Sequence, residues 1–139
     1  MSELRSTGAA GPAASILRPE TAIQLRDIVA AAVSQEEPLA VEGTGSKRGL
    51  GRPVQAACTL SLSAMAGVTL YEPEELVLSA RVGTPIAEIE RLLDEAGQRL
   101  EFEPLDYGPL HGLEPGLGTI GGVVACNLAG PRRLKHGAA

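Results

Sequence analysis

Leu39-Ala40-Val41-Glu42-Gly43-Thr44-Gly45-Ser46-Lys47 is a short apolar run that opens into a glycine-rich loop ending in a cation. Leu39 to Val41 reads as a short buried strand. The loop from Gly43 to Gly51 then lies at a strand's carboxyl end, where α/β sheets usually bind ligands. Glycine permits positive φ and lets backbone come close to a ligand. Successive N–H groups in such a loop form an anion-binding nest. Gly43, Thr44, Gly45, Ser46 and Lys47 supply amides, two hydroxyls and an ammonium, a donor set suited to a diphosphate. The competing reading is a solvated turn whose glycines serve only geometry.

Upstream, Ser15 to Arg18 is a strand candidate that stops at Pro19, and residues 1–14 read as a loose tail of small residues. Thr21 and Gln24 form a T-x-x-Q capping box. Leu25, Ile28, Val29 and Ala32 then recur at helical spacing, which predicts a helix over 21–34. Strand, helix and strand in this order predict a βαβ unit.

Downstream, Cys58–Ser61, Thr69–Glu72 and Leu76–Val82 are strand candidates. Thr84 is expected to cap a second helix, with Pro85 at its first position and Gly97 as its stop. Ile86, Ile89, Leu92, Leu93 and Ala96 would form its buried stripe. Residues 101–118 carry Pro104, Pro109 and Pro115 and read as a long irregular loop. Ile120 to Leu128 reads as a short helix or a close-packed segment.

The chain has 139 residues, enough for one core, and 12 basic against 17 acidic residues give it a net charge of −5. That acidity and an aromatic complement of only Tyr71, Phe102 and Tyr107 argue against nucleic-acid binding. Two cysteines without metal spacing and two histidines, His111 and His136, argue against a metal centre. No apolar run is long enough to span a membrane and no signal peptide is visible, so the expected compartment is the cytoplasm. The charge is partitioned. Gly43 to Tyr71 holds Lys47, Arg48 and Arg52 with no acid, and Pro115 to Ala139 holds Arg132, Arg133 and Lys135 with no acid. Both positive islands fall in glycine-rich sequence, which points to an anionic ligand.

Several patterns carry no chemistry. Gly116-Leu117-Gly118-Thr119-Ile120-Gly121 matches G-x-G-x-x-G, but it follows a proline-rich loop and no acid comes after Glu114. Gly45-Ser46-Lys47 is not a Walker A loop. The pairs Glu36-Glu37 and Glu74-Glu75 sit at turns and read as solvated surface, as does His111. Cys126 lies among small apolar residues and is expected in the core. The residues alone thus supply a binding site for an anionic cofactor and no self-contained catalytic constellation.

The order of these parts resembles the first half of an FAD-binding domain of the vanillyl-alcohol oxidase / p-cresol methylhydroxylase (PCMH) type. It runs from Val41 to Lys47, through Ala80-Arg81-Val82-Gly83-Thr84-Pro85, to Thr119-Ile120-Gly121-Gly122 and Ala125 to Arg133. Leu50-Gly51-Arg52-Pro53-Val54 and Ala129-Gly130-Pro131-Arg132-Arg133 are similar to the FAD-binding subunits of bacterial glycolate oxidases. The resemblance covers residues 15–139 and implies an α+β fold, with a small parallel or mixed sheet flanked by helices. The family continues beyond such a segment, so the chain is expected to be the N-terminal part of the domain.

The resemblance also implies site residues. Gly43, Thr44, Gly45, Ser46 and Lys47 would wrap the FAD pyrophosphate, and Thr119, Gly121, Gly122, Ala125 and Asn127 would pass beside the flavin and ribityl chain. The loop lacks the histidine that tethers flavin in some relatives, so Lys47 implies a non-covalent cofactor. The implied activity is oxidation of a 2-hydroxy acid such as glycolate to the 2-oxo acid, in a complex with other flavoprotein and iron–sulfur subunits. Those partners could also bring it to a membrane. The rival readings are a non-catalytic partner subunit with little flavin binding and a D-lactate dehydrogenase relative.

Overall fold

A computed structural model describes residues 15–52 and 55–138. The expected tail over 1–14 lies outside the described residues, as do residues 53, 54 and 139. Strand β1 (Ser15–Leu17) leads to helix α1 (Ala22–Ser34), then β2 (Leu39–Glu42) and β3 (Cys58–Ser61). Next come β4 (Val68–Glu72), a single 3-10 turn at Pro73–Glu75, β5 (Val77–Ala80) and helix α2 (Ile86–Glu95). Residues 101–118 form an irregular loop with one 3-10 turn at Pro109–His111, followed by α3 (Ile120–Ala125) and α4 (Arg133–His136). The turn α4 has no counterpart in the sequence reading. No helix among the described residues is long and apolar enough to cross a membrane.

Thr21 caps α1 by accepting from the Gln24 amide at 3.2 Å. The return bond differs from a capping box, because Gln24 Oε1 accepts from the Glu20 amide at 2.8 Å, one residue earlier. On α1 Ala32 is buried and Leu25 and Ile28 are half-buried, but Val29 stays exposed, so its apolar stripe is narrower than expected.

β1 and β2 are parallel but not neighbours: β3 lies between them, in the order β1-β3-β2. The expected βαβ unit therefore crosses over a strand contributed later in the sequence. β3 is the central strand and is buried on both faces, as parallel strands require. Leu60 enters the core on one face, while Thr59 and Ser61 alternate to the other. Arg48 Nη2 donates to Thr59 Oγ1 at 2.9 Å, and Ser61 Oγ donates to the Gly43 carbonyl at 3.0 Å. β4 and β5 form a separate antiparallel pair, so parallel and antiparallel pairing occur in two sheets. β5 begins one residue later than expected because Leu76, at φ 58, closes the preceding turn in the left-handed region.

α2 buries Ile86, Ile89 and Leu93, with Leu92 half-buried and Ala96 exposed in the last turn. Gly97, at φ +66, ends it in a Schellman motif, with Gly97 N–H bonded to Asp94 O and Gln98 N–H to Leu93 O. Its N-terminus departs from expectation: Pro85 is the cap and Thr84 does not cap. Thr84 and Pro85 stay extended because they pair with the segment before α3. Ile86 N–H donates to Gly118 O at 2.8 Å, and Ile120 N–H donates to Thr84 O at 2.9 Å. The Thr84 hydroxyl is completely buried, accepts from the Gly67 amide at 2.9 Å and donates to the Arg81 carbonyl at 2.6 Å.

Gly121 closes this junction. Its N–H donates to Val82 O at 2.9 Å, and a Cβ there would lie 2.6 Å from that oxygen. Because the obstruction is backbone, Gly121→Ala is expected to cost about 1–3 kcal/mol in urea unfolding. A loss within about 0.5 kcal/mol, the range of a neutral surface change, would show that the junction yields.

The carboxyl of Glu90 sits above its ordinary pKa, first through partial burial and then through the nearby Asp106 charge. A carboxyl whose folded pKa is raised binds its proton more tightly when folded, so its stabilisation holds at low pH and fades as pH rises through the folded value. Glu90→Gln should therefore raise the melting temperature at pH 7, and the gain should vanish toward pH 4 in paired thermal melts.

Candidate functional site

The loop after β2 starts where Gly43 meets Thr119. A Cβ on Gly43 would fall 2.5 Å from Thr119 Oγ1, so only glycine permits this approach. The Thr44 hydroxyl donates to the Leu117 carbonyl. Thr119 caps α3, with its Oγ1 accepting from the Gly122 amide at 3.3 Å. Two segments more than 70 residues apart are thereby fastened edge to edge. The loop itself is held by two turns, Arg48 N–H to Gly45 O and Leu50 N–H to Lys47 O, with Gly45 at φ +80.

Between these segments lies an open cleft of about 390 Å³. That is within the usual range of small-molecule sites. All five residues from Gly43 to Lys47 line it, together with Thr119, Gly122 and Ala125. Gly121 and Asn127 do not. Gly121 turns toward Val82, and Asn127, at φ +48, ends α3 in the left-handed region, its N–H bonded to Val124 O. The G-x-G-x-x-G stretch follows loop rather than strand, as its context implied. Cys126 is exposed and lines the cleft, which corrects the expectation of a core position. It sits at the C-terminal end of a two-turn helix whose buried face is taken by Val123.

The donors that the cleft presents are distinctive. Lys47 Nζ lies 3.3 Å from where a Cβ on Gly122 would be and 4.0 Å from the same point on Gly118. The ammonium thus rests over bare backbone, and among the described residues no carboxylate pairs with it. Ser46 lines the cleft with 5 % of its surface exposed. An ammonium held over bare backbone without an acidic partner, beside a glycine-rich loop, is a set that an anionic ligand would complete.

Arg48 and Glu42 are ion-paired at the base of the loop. The sequence reading did not assign them or the supporting Thr59 and Ser61 to the site. The alternation Thr59-Leu60-Ser61 within a short strand was the available signal, since two hydroxyls on one face of a central strand need polar neighbours. The second positive island lies elsewhere. Arg132 pairs with Glu103 at 3.1 Å and Glu101 at 3.6 Å, and His136 lies 3.4 Å from Glu101. Arg132 and His136 tie α4 to the turn after α2, and none of the island's cations lines the cleft. His111 is exposed, as expected, although its ring packs against Gly49.

Asp106 orders the irregular loop from below. Its carboxylate accepts from the Gly108 amide at 3.0 Å and the Gly116 amide at 2.7 Å, which carries the chain back toward Leu117. Among the described residues no group of three or more potential metal ligands occurs.

Comparison with known proteins agrees with this architecture. The glycolate oxidase subunit GlcE of Escherichia coli (strain K12) is 47% identical over 106 residues, which are 76% of this chain and 28% of GlcE. Two crystal forms of alkyldihydroxyacetonephosphate synthase superpose with TM-scores of 0.66 and 0.65 at 22% and 19% identity. They cover 88% of this chain and 24% and 22% of the synthase chains, and they show a shared fold. The chain spans about a quarter of the length of these proteins. The sequence profile of a family described as an FAD binding domain matches residues 13–139, and the chain therefore belongs to that family of α+β flavin-binding domains.

Proposed function

We propose that this chain is the N-terminal, pyrophosphate-binding portion of the FAD-binding subunit of a glycolate-oxidase-like enzyme. One observation carries the reading: Gly43–Lys47 and Thr119–Gly122 meet around a cleft in which the Lys47 ammonium lies over bare glycine backbone without an acidic partner. That donor set fits a pyrophosphate. The amides of Gly43 to Lys47, the Ser46 hydroxyl and the Lys47 charge would hold its oxygens, while Thr44, whose hydroxyl donates to the Leu117 carbonyl, would fix the loop. Thr119, Gly122 and Ala125 would form the wall beside the ribityl chain and flavin, where Gly122 leaves room for the Lys47 ammonium. Gly121 and Asn127 would act by shaping that wall rather than by contact.

Bound FAD would supply hydride chemistry, and this chain would supply binding and orientation. No histidine or cysteine lies within Gly43–Lys47, which supports a non-covalent cofactor. Identity to GlcE, a glycolate oxidase subunit, supports glycolate or another 2-hydroxy acid as the substrate of the whole enzyme and a multi-subunit assembly, in which the partners we propose are other flavoprotein and iron–sulfur subunits. We further propose a cytoplasmic location, with membrane association made through partner subunits.

The test is a visible absorption spectrum of the chain after incubation with FAD and desalting. Retained flavin bands are expected. Gly45→Val should remove them while leaving the far-UV circular dichroism unchanged, because Gly45 is at φ +80 and a β-branched residue there displaces the loop. Flavin retained undiminished by that variant would place the pyrophosphate elsewhere. Lys47→Met should weaken FAD binding about tenfold at low salt and flatten its salt dependence, as loss of one unpaired cation near a dianion requires. In the whole enzyme, anaerobic glycolate should bleach the flavin; failure with every short 2-hydroxy acid would rule out the substrate class.

A further inference from the structure

The cleft is lined by three cations, Lys47, Arg48 and Arg52, and among the described residues by one carboxylate, Glu42. That carboxylate is badly placed for an anion site. Glu42 Oε2 lies 3.2 Å from the point a Cβ would occupy on Gly45, directly against the middle of the amide-bearing loop. Uncompensated, it would repel a bound anion and would itself attract the loop's N–H groups. Arg48, three residues beyond Gly45, folds back so that its Nε donates to Glu42 Oε2 and its Nη2 to Thr59 Oγ1. The Glu42 side chain is mostly covered, at 19% exposure, whereas Arg48 reaches solvent at 60%. The carboxylate is therefore the buried member and the guanidinium its cover.

Resting on the pyrophosphate reading above, we propose that Arg48 is a positioning and charge-setting residue. It cancels Glu42, so that the cleft presents the two net positive charges of Lys47 and Arg52 to a ligand carrying two negative charges, a pyrophosphate diester. Glu42 in turn holds Arg48 against β3, away from the anion, and limits the cleft's attraction for more highly charged polyphosphates. The pair sets how much charge the loop accepts, while the amides set where it sits.

Flavin-fluorescence titration of the full chain with FAD, at several salt concentrations, tests this through opposite signs. Glu42→Gln keeps a hydrogen-bond acceptor for Arg48 but removes the negative charge. It is expected to bind FAD about tenfold more tightly and to steepen the salt dependence. Arg48→Met bares the carboxylate and should bind about tenfold more weakly, with a shallower salt dependence. The double variant E42Q/R48M should return to within about threefold of the parent, because its net cleft charge is restored.

A purely structural brace predicts another pattern: Glu42→Gln no tighter than the parent, and the double variant no better than Arg48→Met. Any of these results overturns the inference. If Arg48→Met does not fold, Glu42→Gln alone decides by the sign of its effect. A parent chain that binds no FAD at all overturns the function reading itself, and this inference falls with it.

Discussion

Everything that makes a site of this chain depends on a two-bond antiparallel junction, Ile86 to Gly118 and Ile120 to Thr84. It is short, but it is buried beside Ile89 and Val123, the least exposed apolar side chains of the second half. Backbone bonds shielded from water are costly to break because the freed groups are left without partners. The junction sets the direction of α2 and of α3 together. It also brings Leu117 and Thr119 within reach of Thr44 and Gly43, so the cleft forms as a consequence of how two helices start.

The polar side chains that support this arrangement are threonines and serines rather than charges. Thr84 stitches the turn before α2, Thr119 caps α3, and Thr59 and Ser61 reach from β3 to the underside of the loop. A buried hydroxyl that is fully bonded costs little and fixes geometry closely. Charge is kept for other purposes. The pair Glu42–Arg48 and the cluster Arg132–Glu101–Glu103–His136 pair within themselves, and Lys47 is left over Gly118 and Gly122. Of the two basic stretches visible along the chain, one lines the cleft, and in the other Arg132 is structural, because the acids that answer it lie about 30 residues earlier at the turn after α2.

Much of the fold was legible because its signals are local. The spacing of Leu25, Ile28 and Ala32, the stop at Gly97 and the small apolar run after Thr119 report backbone geometry within a few residues, and the elements form there. The loop Gly43–Lys47 was legible for the same reason, since amides, hydroxyls and ammonium lie in consecutive residues. Cys126 and Thr84 were misplaced because their surroundings are not local. Cys126 is exposed because Val123 takes the buried face of α3, and Thr84 gives up capping because its backbone is engaged by residues 118–120.

The sequence by itself therefore determined which segments become helices and strands, and that one loop is chemically equipped for an anion. Periodicity, capping residues and glycine placement act over a few residues, where chain connectivity leaves little choice. Only the tertiary structure decided that β3 enters between β1 and β2, which cations stay unpaired, and that the second glycine-rich segment closes onto the first. Those outcomes depend on which distant groups satisfy each other's hydrogen bonds once water is excluded. That competition is settled by packing and leaves no trace in the spacing of residues along the chain.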